Sequence, residues 1–497
     1  MLDCLFVVPN SRDSAYGPLG SLAAVEPPVW AGMLAAALRK HRYGVAILDA
    51  EAENLPAGRI AEVTRDAAPR LACLVAYGHQ PSASTQTMPG ARLALQAIRE
   101  ITNIPTAILG GHVSALSERT LREEPVDFVI EGEGPGTLGP LIEALKAGGG
   151  FSKVPGLWFR DPHAPDDVCR PTAHAPLIQH LDRDLPAPAW DLLPMGRYRA
   201  HTWHCLGGIA RQPYAALYTS LGCPYRCEFC MIQAPFKAGE SALGFTPEVN
   251  TYRMWSAASI GEQIELLVTK YGVRNIKIVD EMFWLNRRHV EGICDEILTR
   301  GLGDHLNLWA YARVDTVKWP ALLDKARRAG FRWLAIGIEA ADSTVRDGQD
   351  KDFSDAQIKD TVRAIQAVGI HVIGNYIFGL PGDTKESMQR TLDLALELRC
   401  EWANFYPAMA FPGSRLYEKA VANGWRLPDS WAGYAPLGYE CVPLPTESLT
   451  SEDIVRFRDD AFHQYFSGIG PSFHERFGSD AVLRITDILI RRKILSA

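Results

Sequence analysis

Three cysteines, Cys223, Cys227 and Cys230, lie within eight residues of this sequence in the spacing Cys-x3-Cys-x2-Cys. Three thiolates on one loop can hold three corners of an iron–sulfur cubane and leave the fourth iron free to bind and activate a substrate. A structural zinc ion would want a fourth ligand, which His204 or Cys205 could supply from before the preceding strand. The spacing favours an iron–sulfur cluster, with zinc as the alternative.

The composition is that of a globular protein, with 47% apolar and 22% charged residues among 497. This length predicts more than one domain, and the net charge of −7 argues against nucleic acid as the main partner. No apolar run approaches the ~20 residues of a membrane span, and the N-terminus lacks the basic segment of a signal peptide. Ten cysteines are too sparse for a disulfide scaffold, so we expect a cytoplasmic protein with reduced thiols.

Residues 1–147 alternate short β-rich runs with helical stretches, which predicts an α/β domain with a doubly wound, Rossmann-like sheet. The five runs are Cys4–Val8, Val45–Asp49, Leu71–Tyr77, Thr106–Leu109 and Phe128–Glu131. Ligands of such sheets lie beyond the carboxyl ends of the strands, where glycine permits close approach of the backbone to a large flat ligand. The loop residues that we expect to bind a cofactor are Pro9, Asn10, Gly78, His79, Gln80, Ser82, Gly110, Gly111, His112, Gly132, Glu133 and Gly134. The alternative is that these glycines only make tight turns.

A proline-rich linker is predicted over residues 148–212, and a second alternating region follows over 213–416. Its strand candidates are Ala215–Ser220, Asn275–Asp280, Leu306–Tyr311, Trp333–Ile338, His371–Phe378 and Asn404–Met409. Six β/α units predict a partial TIM barrel, with its chemistry at the carboxyl ends of the strands. Residues 417–497 are predicted to form a mainly helical C-terminal region.

The cysteine triplet, with the aromatic Phe229 before its last cysteine, resembles the signature of the radical S-adenosylmethionine (SAM) enzymes. The resemblance implies a 4Fe-4S cluster on Cys223, Cys227 and Cys230, whose open iron binds SAM. One-electron reduction of SAM would then yield a deoxyadenosyl radical that abstracts hydrogen from an unactivated carbon. The resemblance also implies an electron donor such as flavodoxin or ferredoxin.

Further segments of the barrel are similar to this family. Glu339, in Gly337-Ile338-Glu339-Ala340, matches the fourth-strand carboxylate that helps to hold SAM, and Gly379 lies in a segment similar to the one that packs against the adenine. Asp280 and Arg313 close the second and third strands, where they could reach SAM or substrate. Glu339 could instead be a capping carboxylate, and Arg313 a solvated ion-pair partner.

The N-terminal domain resembles the cobalamin-binding domain of the cobalamin-dependent (class B) radical SAM enzymes, through the stretches 110–114 and 127–134. The Asp-x-His-x-x-Gly motif of other cobalamin proteins is absent, because Asp166 stands where Asp161 and His163 would require a glycine. The lower face of cobalt would therefore meet water, an apolar wall or another side chain. His79 and Gln80 are the candidates for that side chain.

The resemblance predicts a methyltransferase acting on an unactivated carbon or phosphorus of a small-molecule biosynthetic intermediate. One SAM would methylate cobalamin and a second would generate the substrate radical, a combination needed only when the substrate lacks a nucleophile. The alternative is radical cyclisation or ring rearrangement in the same architecture. A non-catalytic cobalamin sensor is disfavoured by the intact cysteine triplet. The sequence leaves the substrate open.

Overall fold

The computed structural model describes residues 2–12, 15, 23–78, 83–161, 168–348 and 351–468. Its first sheet has seven strands in this part of the chain, in the spatial order β2-β1-β3-β4-β5-β6-β7. The strands are β1 (Cys4–Val8), β2 (Val45–Asp49), β3 (Leu71–Val75), β4 (Thr106–Leu109), β5 (Phe128–Ile130), β6 (Leu157–Arg160) and β7 (Cys169–Pro171). Pairing is parallel from β2 to β5 and antiparallel from β5 to β7.

Helices cover both faces of this sheet, because its strands carry apolar side chains on both faces. The helices of this half are α1 (Val29–Lys40), α2 (Ala57–Ala67), α3 (Ala83–Ile101), α4 (Gly111–Ala115), α5 (Ser117–Glu123) and α6 (Pro135–Ala147). Cys4 and Phe6 of β1 face one apolar core and Leu5 and Val7 face the other. The predicted doubly wound domain is confirmed.

The second sheet is a run of parallel strands in the order β15-β14-β13-β12-β11-β8. Its strands are β8 (Tyr214–Leu217), β11 (Asn275–Ile278), β12 (Asn307–Arg313), β13 (Phe331–Glu339), β14 (His371–Phe378) and β15 (Trp402–Pro407), and a small hairpin pairs β9 (Ser220–Leu221) with β10 (Arg253–Met254). The helices of this half are α7 (Leu181–Asp184), α8 (Ala234–Ala242), α9 (Ala257–Tyr271), α10 (Arg287–Thr299), α11 (Pro320–Arg328), α12 (Ser343–Asp347), α13 (Asp355–Ala367) and α14 (Lys385–Leu398). Strands in chain order with parallel pairing form the predicted partial barrel, open between β8 and β15.

The predicted linker differs from the structure, because β6 and β7 lie within it and extend the first sheet. Only the pairing of β6 with β5, and of β7 with β6, reveals these short strands, since β7 carries proline and little buried surface. The rest of this stretch includes short 3₁₀ turns, such as Trp190–Leu192. The C-terminal region contains α15 (Arg415–Ala422), a 3₁₀ turn (Trp431–Tyr434) and α16 (Ser451–Gly468), and residues 469–497 lie outside the described residues. None of the helices that the structure describes has the length and hydropathy needed to cross a membrane.

Candidate active site

The cysteine loop leaves the barrel after β8 through Gly222, whose φ of +86° belongs to the left-handed region. A Cβ at this position would lie 2.2 Å from the carbonyl oxygen of Thr251, so only glycine fits. The backbone amide of Cys223 donates to Oε1 of Gln233 at 3.2 Å, and the amide of Cys230 donates to the carbonyl of Cys227 at 3.1 Å. These contacts curl the three cysteines into one loop.

Asp280 holds the start of this loop from the neighbouring strand. Its carboxylate accepts hydrogen bonds from the amide and hydroxyl of Thr219 at 2.6 and 2.5 Å, and from the hydroxyl of Ser220 at 2.6 Å. Burial raises the pKa of Asp280 to about 6, although these hydrogen bonds act to lower it. Asp280 is not among the residues that line the site cavity. The structure therefore gives Asp280 a positioning role in place of the predicted contact with SAM or substrate.

Arg313, at the end of β12, lies against the cysteine loop as its strand-end position predicts. Its Nη1 lies 3.7 Å from Sγ of Cys227, and its guanidinium carbon lies 3.7 Å from the ring centroid of Tyr225. The guanidinium also forms an ion pair with Asp315 at 2.9 Å. Arg313 is thus almost fully buried, and it brings a positive charge to a thiolate.

Glu339 ends β13 in a bulge, where the register with β14 shifts. Its φ of +65° is uncommon for a residue with a side chain, and such strain is found at functional sites. The ammonium of Lys351 donates to Oε1 of Glu339 at 2.5 Å and to the carbonyl of Gly337 at 3.1 Å. The bulge turns the Glu339 carboxylate into the barrel mouth, where the lysine holds it.

A cavity of about 280 Å³ opens at this mouth. Its walls are largely apolar, and they include Cys223, Cys227, Phe229, Cys230, Met231, Ile232, Val279, Glu281, Met282, Tyr311, Arg313, Glu339, Lys351, Asn375, Ile377, Tyr406, Met409 and Phe411. The structure thus brings the predicted cysteines, Phe229, Arg313 and Glu339 together. The expected cofactor-binding residues did not include Glu281, Lys351, Asn375 and Tyr406. Alternation of side chains along β14 and β15 could have indicated the last two, because every second residue faces the barrel interior.

A second cavity of about 30 Å³ lies between the barrel and the edge of the first sheet. On the sheet side it is lined by Tyr77, Gly78 and Gly111, and on the barrel side by residues that include Met231, Ile232 and Glu281. Those last three residues also line the barrel cavity. The two cavities therefore share one wall.

Two of the predicted loop glycines, Gly78 and Gly111, reach this shared space. A Cβ on Gly111 would lie 3.3 Å from Cε of Met231, which is tighter than an ordinary contact. Beside them, Trp30 stacks on Tyr77 with centroids 4.6 Å apart. The hydroxyl of Tyr77 is buried and has no hydrogen-bond partner among the described residues. A cavity of this size does not hold a corrin, so a corrin would lie along the edge of the sheet, against Gly78, Gly111 and this hydroxyl.

Other predicted cofactor residues have structural partners instead. The side chain of His112 is buried, with Nδ1 3.2 Å from Oγ1 of Thr85, and its ring packs edge-on against Trp431. Burial lowers the pKa of His112 to about 3, so this imidazole is neutral. Glu133 pairs with Arg253 at 2.9 Å. His112 thus contacts the C-terminal region and Glu133 contacts the barrel half. The polar residues of these loops therefore serve contacts between domains.

The remaining predicted residues are placed as follows. Pro9 is buried, and the side-chain amide of Asn10 donates to Oδ1 of Asn54. Gly110 lies in the backbone turn after β4, and Gly132 and Gly134 lie in the turn after β5. Gly379 has a φ of +80° and lies against Ile454 of α16. His79, Gln80 and Ser82 lie outside the described residues.

The donor set of the loop fits an iron–sulfur cluster. Burial raises the pKa of the Cys223 thiol to about 12, so a thiolate there needs a metal to stabilise it. In the described ranges, no three His, Cys, Asp or Glu side chains converge on a single metal ion. The cysteines of a cubane each bind a different iron and need not converge. Soft thiolates beside the Arg313 guanidinium suit such a cluster.

Residues 217–395 match the family model of the radical SAM superfamily, and residues 18–142 match that of the B12 binding domain. An uncharacterized methyltransferase from Pyrococcus horikoshii is 28% identical over 94% of this chain and 93% of its own length. The anaerobic magnesium-protoporphyrin IX monomethyl ester cyclase of Cereibacter sphaeroides is 28% identical over 84% of this chain and 63% of its own length.

A solved structure shares the fold. It is that of the radical S-adenosylmethionine methyltransferase TsrM from Kitasatospora setae, with cobalamin and a 4Fe-4S cluster bound. The match has a TM-score of 0.68 at 18% sequence identity and covers 96% of this chain and 90% of TsrM. It extends over both sheets, so the pairing of the two domains is part of the shared fold.

Proposed function

This chain belongs to the radical SAM superfamily and carries a B12 binding domain, and from that premise we propose that it is a cobalamin-dependent radical SAM methyltransferase. Its substrate is a small molecule with an unactivated carbon or phosphorus. The observation that carries the proposal is the wall shared by the two cavities, because a substrate held there meets both cofactor regions. The methyltransferase relative that spans nearly the whole chain supports it.

When bound, the 4Fe-4S cluster, SAM and cobalamin supply a hydrogen-abstracting radical and a methyl carrier. The chain's residues would hold these groups: Cys223, Cys227 and Cys230 the cluster, Glu339 with Lys351 the SAM, and Gly78 and Gly111 the face of cobalamin. Arg313 places positive charge beside Cys227, which stabilises the thiolate. The apolar side chains of the cavity exclude water. We also propose that an electron donor such as flavodoxin or ferredoxin is a partner of this protein.

Anaerobic incubation of the reconstituted protein with methyl-labelled SAM and a metabolite extract of the source organism tests this function. We expect deoxyadenosine and S-adenosylhomocysteine in equal amounts, and label in one product of the extract. Radical cyclisation or rearrangement is the second candidate, because a cyclase is among the relatives. Deoxyadenosine without S-adenosylhomocysteine, and a product without label, would establish that candidate in place of methyl transfer.

A further inference from the structure

A buried ion pair joins the loop after β5 of the first sheet to the small hairpin of the barrel half. Glu133 lies between two glycines of that loop, and Nη2 of Arg253 lies 2.9 Å from its Oε1. The other oxygen of Glu133 accepts a hydrogen bond from the amide of Ile178 at 2.8 Å, and Nη1 of Arg253 donates to the carbonyl of Ile178 at 2.6 Å. The two side chains are therefore connected directly and also through one backbone residue.

Each partner of this ion pair lies beside a cofactor region. Arg253 on β10 pairs with Leu221 on β9, and Cys223 follows Leu221 by two residues. On the other side, the loop of Glu133 lies against the start of α8. A Cβ on Gly132 would be 3.7 Å from the carbonyl oxygen of Pro235, which lines the smaller cavity. One ion pair thus connects the start of the cysteine loop to a loop at the edge of the first sheet.

Stability alone does not account for this pair. The cost of removing two charges from water offsets much of their attraction, and an apolar pair of similar volume would hold the domains together as well. A guanidinium and a carboxylate, however, meet in a narrow range of geometries, whereas apolar surfaces can slide past each other. The pair therefore contributes a fixed relative position.

This position extends to the wall of the smaller cavity. The guanidinium carbon of Arg253 lies 5.1 Å from the ring centroid of Phe236, and Nε1 of Trp30 donates to the carbonyl of Glu133 at 3.2 Å. Both Phe236 and Trp30 line that cavity. Movement of the ion pair would therefore move side chains that face the space between the two domains.

The two domains remain joined elsewhere when this pair is removed. Within the barrel, Nζ of Lys277 lies 3.1 Å from Oε1 of Glu26, which belongs to the chain just before α1. The hydroxyl of Tyr214 donates to the same oxygen at 2.9 Å. Loss of the Glu133–Arg253 pair should therefore loosen the cofactor edge of the interface and leave the domains associated.

We propose that Glu133 and Arg253 are a positioning pair that fixes the separation between the cluster on the cysteine loop and the cobalamin on the first sheet. This inference rests on the proposed function, because two cofactors need a fixed spacing only when both act on one substrate. A displacement of about 1 Å in such an arrangement can lower the rate by roughly a hundredfold. Neither residue needs to touch a cofactor for this role.

The full chain, anaerobically loaded with cluster and cobalamin, tests the proposal without substrate or SAM. The unpaired electron of cob(II)alamin relaxes faster when a nearby cluster is reduced and paramagnetic, and this acceleration falls steeply with the distance between them. We expect one relaxation rate in the wild-type protein. Arg253→Met and Glu133→Gln should each show a spread of slower and faster rates, with unchanged iron and cobalamin contents. Glu133→Gln keeps an acceptor for the amide of Ile178 and so preserves the local fold.

Two further variants serve as controls. Arg253→Lys keeps a cation opposite Glu133 and should retain the single rate. Arg300→Met removes an ion pair with Glu296 at 3.1 Å that lies entirely within the barrel half, and it should retain the single rate as well. In the labelling experiment, the ratio of labelled product to deoxyadenosine should fall by at least about tenfold in Arg253→Met.

A single, wild-type relaxation rate in both Arg253→Met and Glu133→Gln would overturn the proposal. Loss of iron or cobalamin from Glu133→Gln would overturn it too, because the pair would then serve cofactor binding and not spacing. The same spread of rates in Arg300→Met would assign the effect to general loosening of the fold, which also contradicts it. The labelling experiment on wild-type protein judges the methyltransferase function separately.

Discussion

The carboxylate of Asp280 accepts hydrogen bonds from both the backbone amide and the hydroxyl of Thr219, at 2.6 and 2.5 Å. Thr219 follows β8 and stands four residues before Cys223, while Asp280 follows β11. The hydroxyl of Thr219 also lies 2.9 Å from Nε2 of His289 on α10. Residues that follow β11 and lie on α10 thus fix the position of the chain just before Cys223, although none of them is a cluster ligand.

Replacing Asp280 by alanine should destabilise the barrel. The change leaves two hydroxyls and one amide buried without their acceptor, which we expect to cost about 2–5 kcal/mol of unfolding free energy. The measurement is the denaturation midpoint, with the iron content of the reconstituted protein as a second readout. The matched control is Asp191→Ala, which removes an exposed ion pair with Arg39 and should cost less than about 1 kcal/mol. Equal midpoints for the two variants would contradict the positioning role.

Replacing Cys223, Cys227 and Cys230 together by alanine should abolish cluster binding, because no other cysteine lies on their loop. Anaerobically reconstituted wild-type protein should contain about four irons per chain and show the absorption of an iron–sulfur cluster. Cys169→Ala, a cysteine change on β7 of the first sheet, should keep them. Stoichiometric zinc and no iron–sulfide absorption in the wild-type protein would refute the assignment.

Gly111→Leu should block cobalamin binding and spare the cluster. Its side chain would project from the start of α4 towards Met231 and fill the space between the domains. We expect cobalamin affinity to fall by at least about tenfold, measured by equilibrium dialysis, with unchanged iron content. Gly139→Ala, on the outer helix α6 near Tyr43, is the control that should leave both unchanged. Full cobalamin affinity in Gly111→Leu would place the cofactor elsewhere.

His112 should make the protein sensitive to acid. Burial lowers its pKa from 6.5 to about 3, so between these pH values the unfolded chain binds a proton that the folded chain does not bind. The stabilisation is complete above pH 6.5 and declines as the pH falls towards 3. Relative to His112→Asn, which keeps an acceptor for Thr85, the wild type should lose about 3 kcal/mol between pH 6.5 and 4.

Urea denaturation of both proteins at several pH values measures this difference. Because Asp49 and Asp280 have pKa values raised to about 6, they change stability in the opposite direction over the same range in both proteins. Their effect cancels in the comparison. Parallel pH profiles of the wild type and His112→Asn would show that the imidazole is not held neutral.

Much of the fold could be predicted because its signals are local. Strand β14 has the predicted bounds, His371–Phe378, since its buried alternation lies between clear turns. Strand β3 ends at Val75, two residues earlier than predicted, because Tyr77 leaves the sheet to stack on Trp30. Strands β6 and β7 were missed because the pairing of β6 with β5 and of β7 with β6, and not their composition, makes them strands.

The sequence by itself determined the chemistry of this protein: three cysteines in a fixed spacing, and polar residues at the ends of parallel strands. Only the tertiary structure decided which neighbour of a pair lines the site cavity. Asp280 and Glu281 are adjacent carboxylates that no local pattern distinguishes, and Lys351 pairs with Glu339 through a bulge that exists only when β13 and β14 are paired. The physical reason is that hydrogen-bond partners are chosen by strand register and by the packing of one domain on the other, and both arise from contacts distant in the chain.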